Sequence, residues 1–334
     1  MTTHTERIQA AIQGEIIDRP PAALWRHFPV DDQSAGSLAE AHVHYQQTYD
    51  FDLVKVTPAS SFCVGDWGVQ DEWVGDSEGT RRYTKRVVTN PQDWETLAVL
   101  PPTSPHLSQQ LECLRQIRAR LSPDTPLLQT IFSPLAQAKN LSGNDLLLEH
   151  LRHHPGAVMK GLKTIAETTR LFIEAARGTG IDGIFYAVQH AQKQILGYEE
   201  YKLFGLIFDR ETIEPARDLW CNMLHLHGQN VHFELVKDLP FQIVNWHDRE
   251  SDPSLAEAQQ IFHGVVCGGM RQDTLVYRDP AEVRAEAADA LRQTGGKRFL
   301  LGTGCVVPVI ASHGNLLAAR KSVDSHFISE EELG

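Results

Sequence analysis

The sequence has no disulfide framework to stiffen it. Its 334 residues include five cysteines, Cys63, Cys113, Cys221, Cys267 and Cys305, with no CxxC pair and no regular spacing. An odd set of scattered thiols reads as reduced cysteines in a cytoplasmic protein. Long apolar runs are missing too: none approaches the ~18 residues a membrane-spanning helix needs, so a soluble chain with no membrane partner is expected. The opening MTTHTERIQAAIQGEIIDRPP reads as a short amphipathic helix ending at a double proline, not as a signal peptide. Basic residues are in deficit, with 31 Lys and Arg against 43 Asp and Glu and a formal net charge of −12. That argues against nucleic acid as a partner, because a phosphate backbone needs a basic face. An anionic small-molecule substrate stays open, since one local arginine can oppose the global sign.

Several catalytic signatures are also absent. There is no P-loop, no HExxH and no Ser-His-Asp arrangement, and GTGCVV near the C-terminal end has the wrong third position for a dinucleotide loop and runs into Pro308 rather than a helix. No internal repeat, low-complexity tract or linker interrupts the chain.

What remains is ordinary globular composition, 42% hydrophobic and 22% charged, in a chain long enough to bury a core without a disulfide or structural metal. Short apolar segments alternate with helical ones. The strand candidates are 22–28 (AALWRHF), 51–58, 126–134, 181–189, 222–228, 241–248, 264–270 and 298–308, several of them apolar on both faces as buried parallel strands are. Between them lie amphipathic stretches such as 160–180, where Leu162, Ile165, Ala166, Thr169 and Phe172 form one stripe, and 279–296, opened by Asp-Pro and closed by Gly-Gly. Eight strands alternating with helices predict an α/β protein: one (β/α)8 TIM barrel over residues 1–334, with an N-terminal helical extension. The polar, Gly-rich stretch 62–90 breaks the pattern and reads as a hairpin-like insertion after the second strand.

In such a barrel the chemistry belongs at the C-terminal ends of the strands. Those ends are rich in His, Arg and Cys: Arg26 with His27, Gln189 with His190, His225 with His227, His247 with Asp248 and Arg249, and Cys305. His225 and His227, two apart on a strand, project to the same face. They suit two ligands of a tetrahedral zinc, with Cys305 approaching across the barrel mouth as the third and a fourth position open to substrate. They equally suit hydrogen-bonded histidines lining a polar pocket, with Cys305 a small buried hydrophobe. His247 beside Asp248 reads as a catalytic pair, or as a rim where Asp248 pairs with Arg249. Arg26, His27 and Gln189 are candidate substrate contacts, although Arg26 could instead pair with a neighbouring carboxylate.

Taken in order, ERIQAAIQGEIIDRPP, LWRHF, IFSPLAQAKNLSG, IDGIFYAVQHAQKQILGYEEYKLFG, LHLHG, FQIVNWHDR, GVVCGGM and GTGCVVPVIASHGNLLAARKSV resemble the uroporphyrinogen decarboxylase superfamily over nearly the full length. The resemblance implies a (β/α)8 barrel, often dimeric, with the cleft at the C-terminal strand ends. The decarboxylase branch uses no metal. It binds tetrapyrrole carboxylates through an RxxxR pair and places a carboxylate after the second strand. Here Arg26 is kept, but Val30 stands in the second arginine's place and Pro58 in the carboxylate's. The family tyrosine falls near Lys139 or Asn140, and the C-terminal histidine gives way to Gly304 and Cys305. The other branch moves methyl groups between a corrinoid or folate and a thiol, using zinc held by an HxC pair and a distant cysteine. His225 and Cys305 match that set, and His227 replaces its second cysteine. The resemblance therefore implies a zinc-dependent methyltransferase acting on a small thiol. A corrinoid or folate would be the donor and a corrinoid protein the possible partner. A metal-free decarboxylase and a non-catalytic tetrapyrrole-binding protein stand as alternatives.

Overall fold

The computed structural model describes residues 2–324. Seven strands form one curled parallel sheet in chain order: β1 (Val54–Val56), β2 (Leu127–Phe132), β3 (Gly183–Val188), β4 (Met223–Leu226), β5 (Ile243–Trp246), β6 (Val265–Met270) and β7 (Phe299–Thr303). Every strand residue is buried. Helices cover the sheet's outer face and inward side chains fill the other, so the strands are largely apolar, and buried polar residues such as Lys55, His225 and Asn245 face the interior. The fold is a TIM-like barrel.

The first expected strand, 22–28, differs from the expectation. It makes a single parallel bridge, Ala22 to Leu301, because Pro20 and Pro21 have no N–H to give a ladder. The segment nevertheless joins the sheet's two edges. The Ala23 N–H donates to the Leu301 carbonyl at 2.9 Å, the Leu301 N–H to the Pro21 carbonyl at 2.9 Å, and the Asp52 N–H, just before β1, to the Ala22 carbonyl at 2.8 Å.

The helix boundaries follow local chemistry. Pro155–Arg177 buries the stripe Leu162, Ile165, Ala166, Thr169 and Phe172. Pro280–Thr294 starts where the Asp279 carboxylate accepts the N–H groups of Ala281 and Glu282, and stops at left-handed Gly295. At the N-terminus, His4–Gln13 carries a capping box between Thr3 and Glu6. No helix among the described residues is long and apolar enough to cross a membrane.

Within the 62–90 stretch, Gln70–Glu72 pairs antiparallel with Arg82–Lys85. The loop between them docks on the strand-end side of the barrel. Ser77 O accepts from the Val309 N–H at 2.7 Å, and Glu78 accepts from Gln272 Nε2 at 3.0 Å. Gly79 lies so close to the rim that an added Cβ would sit 2.5 Å from that of His27. Its φ of +79° is a second reason for glycine at that position.

At the opposite end, Asp52 pins the N-terminal segment to β1. Its buried carboxylate accepts from Arg7 at 2.6 Å, Arg19 at 2.7 Å, the Ala22 N–H at 2.8 Å and His4 Nδ1 at 2.9 Å. Hydrogen bonds to Asp50 and then Asp52 raise the His4 pKa to about 9. A group whose folded pKa is raised stabilises fully below its unfolded value and loses that contribution as pH rises through the folded one. Urea unfolding should therefore show stability falling by about 1–2 kcal/mol between about pH 6.5 and pH 9, the full linkage being discounted for partial exposure. His4→Gln should flatten that slope. An unchanged slope in the variant would remove His4 as its cause. The Asp52 carboxyl, held well below the ordinary range despite the opposing cost of its burial, contributes stability that is lost only in strong acid.

Candidate metal centre

Side-chain alternation along three adjacent strands builds the site. On β3, Tyr186 reaches Asp209 on the covering helix at 2.6 Å, so Phe185 faces the barrel interior. It stacks there on His225 with ring centroids 5.2 Å apart. The parallel register places Ala187 beside His225 and His225 beside Asn245. Two residues on, where the strands end, His227 and His247 share the same inward face. The chain after β7 completes the set. At Gly304 a Cβ would lie 2.7 Å from the His247 Cα, so only glycine lets this loop press against β5 and deliver Cys305.

One ligand atom each from His225, His227, His247 and Cys305 lies within 4.8 Å of the other three. His227 Nδ1 is 3.4 Å from His247 Nε2 and 3.7 Å from Cys305 Sγ. Donors around a tetrahedral zinc, at about 2.0–2.3 Å from the metal, are separated by roughly 3.3–3.8 Å. His225 is buried and the other three are partly exposed, so the cluster opens toward the cleft.

The outer groups fix the imidazoles in the form a metal needs. Asn245 Nδ2 donates to the carbonyls of Cys267 at 3.0 Å and Thr303 at 2.9 Å. Its Oδ1 must therefore be the atom 2.7 Å from His225 Nδ1, and an acceptor there requires Nδ1 to carry the proton. The Nε2 lone pair of His225 is left for the cluster. His247 turns Nδ1 toward Glu250 at 3.7 Å and Nε2 toward His227. His225 thus carries the outer support usual for a metal ligand, while for His247 the Glu250 carboxylate stands nearby, beyond hydrogen-bond distance.

Electrostatics agree with neutral rings. Burial first, and the neighbouring imidazoles second, push the pKa of His225 far down and that of His227 to about 3. Burial also lowers that of His247. Burial and nearby Glu78 push the Cys305 thiol up to about 11. Neutral imidazoles beside a thiol are the protonation state from which a soft divalent cation displaces one proton. The donor set fits zinc. Replacing Asn245 with alanine should lower zinc affinity about 10–100-fold, read by competition with a chromogenic chelator; undiminished affinity would show that the amide does not orient His225.

The remaining sequence candidates separate. Asp248 turns away from the cluster, with its carboxylate on the Gly269 N–H at 3.0 Å and 3.6 Å from Arg249; burial raises its pKa to about 7. Arg249 is itself tied to Asp289 and to the carbonyls of Gly269 and Glu286. Arg26 lies over the Phe28 ring and contacts the backbone carbonyls of His27 and Val309 at 3.4 and 3.3 Å. It lines an outer groove with Tyr45, Tyr49 and His313 rather than the histidine cluster. His27 is covered by the Gly79 turn, and burial lowers its pKa to about 3. Gln189 accepts from Lys139 Nζ at 2.6 Å.

Sequence reasoning missed Asn245, Glu250 and Lys55. For Asn245 a signal existed, two residues before His247 on the same strand face. Lys55 on β1 had none, because a lysine inside an apolar strand cannot be assigned a face by pattern alone. Its ammonium sits 4.5 Å from the Phe185 centroid and donates to Thr57 at 3.3 Å. Burial lowers its pKa to about 7.

Comparison with known proteins follows the same lines. The family model described as uroporphyrinogen decarboxylase (URO-D) matches residues 3–326. The chain belongs to that family. Among solved structures it is similar to a methyltransferase from Methanosarcina mazei at 17% identity and a TM-score of 0.85, covering 98% of this chain and 100% of that one. A B12-independent methionine synthase from Shewanella sp. W3-18-1, in complex with selenomethionine, aligns at 15% identity and a TM-score of 0.55, over 91% and 92% of the two chains. A putative vitamin-B12 independent methionine synthase from Listeria monocytogenes aligns at 11% identity and 0.54, over 91% and 94%. At these identities the likeness is one of fold. No curated protein sequence matches the chain.

Proposed function

We propose that this member of the uroporphyrinogen decarboxylase family is a zinc-dependent methyltransferase acting on a small thiol. The observation that carries the reading is the convergence of His225, His227, His247 and Cys305 at the strand ends, all four donors within 4.8 Å and His227 at 3.4 and 3.7 Å from His247 and Cys305, as around one tetrahedral ion. The fold likeness to a methyltransferase and to methionine synthases supports it.

Zinc held there supplies Lewis acidity that favours the thiolate form of a thiol. His225, fixed by Asn245, with His227 and Cys305, would hold the ion. His247 Nε2, 3.4 Å from His227 Nδ1, is placed to take the proton of a thiol entering the cluster, and the Glu250 carboxylate near its Nδ1 would favour the resulting imidazolium. Three neutral imidazoles and one thiolate carry one negative charge less than a pair of cysteines would bring with one histidine. The set therefore makes the centre a stronger acid and the activated thiol a gentler nucleophile, which suits a reactive donor such as a methyl corrinoid. A methyl folate is the second donor to test, and a corrinoid protein the corresponding partner.

Zinc-loaded protein should convert 3-mercaptopropionate to its methyl thioether with methylcobalamin or methyltetrahydrofolate, followed by mass spectrometry. His247→Ala should keep zinc and lose about 10²–10⁴-fold in rate, the usual contribution of a positioned base. Absence of methyl thioether with both donors, from protein that holds zinc, would contradict methyl transfer. Uroporphyrinogen should not be decarboxylated above background, because Val30 and Pro58 stand in place of the second arginine and the carboxylate.

A further inference from the structure

Arg26 lines an outer groove, and Lys55 lies deeper in the barrel against Phe185. A further cation stands at the strand-end mouth, next to the β3 end whose Val188 carbonyl accepts the His227 N–H. Lys139 stands on the helix Pro134–Ser142 that follows β2, and its ammonium donates to Gln189 Oε1 at 2.6 Å. Gln189 belongs to the inward-facing row of β3 that includes Phe185 and Ala187, so this contact lies at the mouth of the barrel. Beside it, His190 is 1% exposed, and both its ring nitrogens lack a hydrogen-bond partner among the described residues. The charge of Lys139 reaches both His190 and His227, lowering the affinity of each for a proton after burial has done so. Arg86 adds a second cation. It donates to the carbonyls of Lys139 at 2.8 Å and Asn140 at 2.9 Å, with its Cζ 4.8 Å from the Tyr83 ring centroid.

Among the described residues, neither Lys139 nor Arg86 has a carboxylate within ion-pair distance. A partly buried ammonium with one neutral acceptor keeps two N–H donors free, and an imidazole buried without partners is uncompensated. An anion on Lys139 would take up those free donors beside the Gln189–His190 turn. In a protein with net charge −12, Lys139, without a carboxylate partner and with Arg86 bound to its backbone carbonyl, forms a local exception to the overall sign.

We propose that Lys139, oriented by Gln189 and flanked by His190, is the specificity-determining residue of this cleft and holds the anionic end of the substrate while its reactive end lies at the His227–Cys305 side. The inference rests on the proposed function for the reactive end only.

The test is isothermal calorimetry on zinc-loaded protein with two isosteres, 3-mercaptopropionate and 3-mercaptopropanamide, and with propionate, which lacks the thiol. The acid should bind about tenfold or more tightly than the amide, the size of a charge-assisted contact. Lys139→Met should abolish that preference with zinc content unchanged, and Lys139→Arg should restore part of it. His190→Ala should reduce it by about threefold or more. Equal binding of acid and amide, a preference that survives Lys139→Met, or no binding of either at millimolar concentration would overturn the subsite. Failure of the thiol reading looks different: propionate would then bind as tightly as 3-mercaptopropionate, while the acid-over-amide preference and its dependence on Lys139 still supported the subsite.

Discussion

Cys305→Ala protein is expected to lose its zinc, with affinity falling by more than about 100-fold, beyond what the loss of an outer supporting group costs, and with methyl transfer at background. The thiol is the single sulfur of the cluster and stands 3.7 Å from His227 Nδ1. Without it the histidines keep their geometry but lose the one anionic donor. Cys267→Ala is the control. Cys267 is wholly buried on β6, and removing it should leave zinc content unchanged. Elemental analysis of the two variants, purified without chelator, separates a ligand cysteine from a packing one. Equal zinc in both would contradict the role of Cys305.

The second large effect concerns what holds the site still. Trp246 is fully buried on the outer face of β5, between the inward-facing Asn245 and His247. Its ring packs 4.9 Å from that of Phe233, and its Nε1 donates to the Pro253 carbonyl at 2.9 Å. Trp246→Ala should lower stability by about 3–5 kcal/mol, the range for emptying a large aromatic from a core. The measurement is urea unfolding with the slope unchanged. Because the cavity lies directly behind two residues of the metal centre, zinc affinity should fall with it. A loss under about 1 kcal/mol would mean that β5 is held by its neighbours rather than by its outer packing.

Much of this arrangement was legible in the sequence, and the parts that were not have physical reasons. The apolar strands β2 to β7 announce themselves because both their faces are buried, and the i, i+2 spacing of His225 and His227 survives as a shared inward face. The opening segment reads as a strand by composition, but the double proline reduces it to one bridge. Pairing His247 with Asp248 followed from adjacency alone. On a strand end adjacent side chains diverge, so His247 joins the cluster while Asp248 caps the Gly269 N–H. Arg26 kept its family position but lies over Phe28 in an outer groove rather than in the histidine cluster, a placement that no motif position fixes. Lys139 and Lys55 show the converse: a half-buried or buried lysine looks like any other until the fold surrounds it.

Zinc K-edge X-ray absorption on protein purified without chelator tests the metal centre most directly. The expected spectrum has a shell of imidazole nitrogens at about 2.0–2.1 Å and one sulfur at about 2.3 Å, from about one zinc per chain, with the sulfur gone in Cys305→Ala. A protein that takes up no zinc, or one whose zinc has only oxygen and nitrogen neighbours, would contradict it.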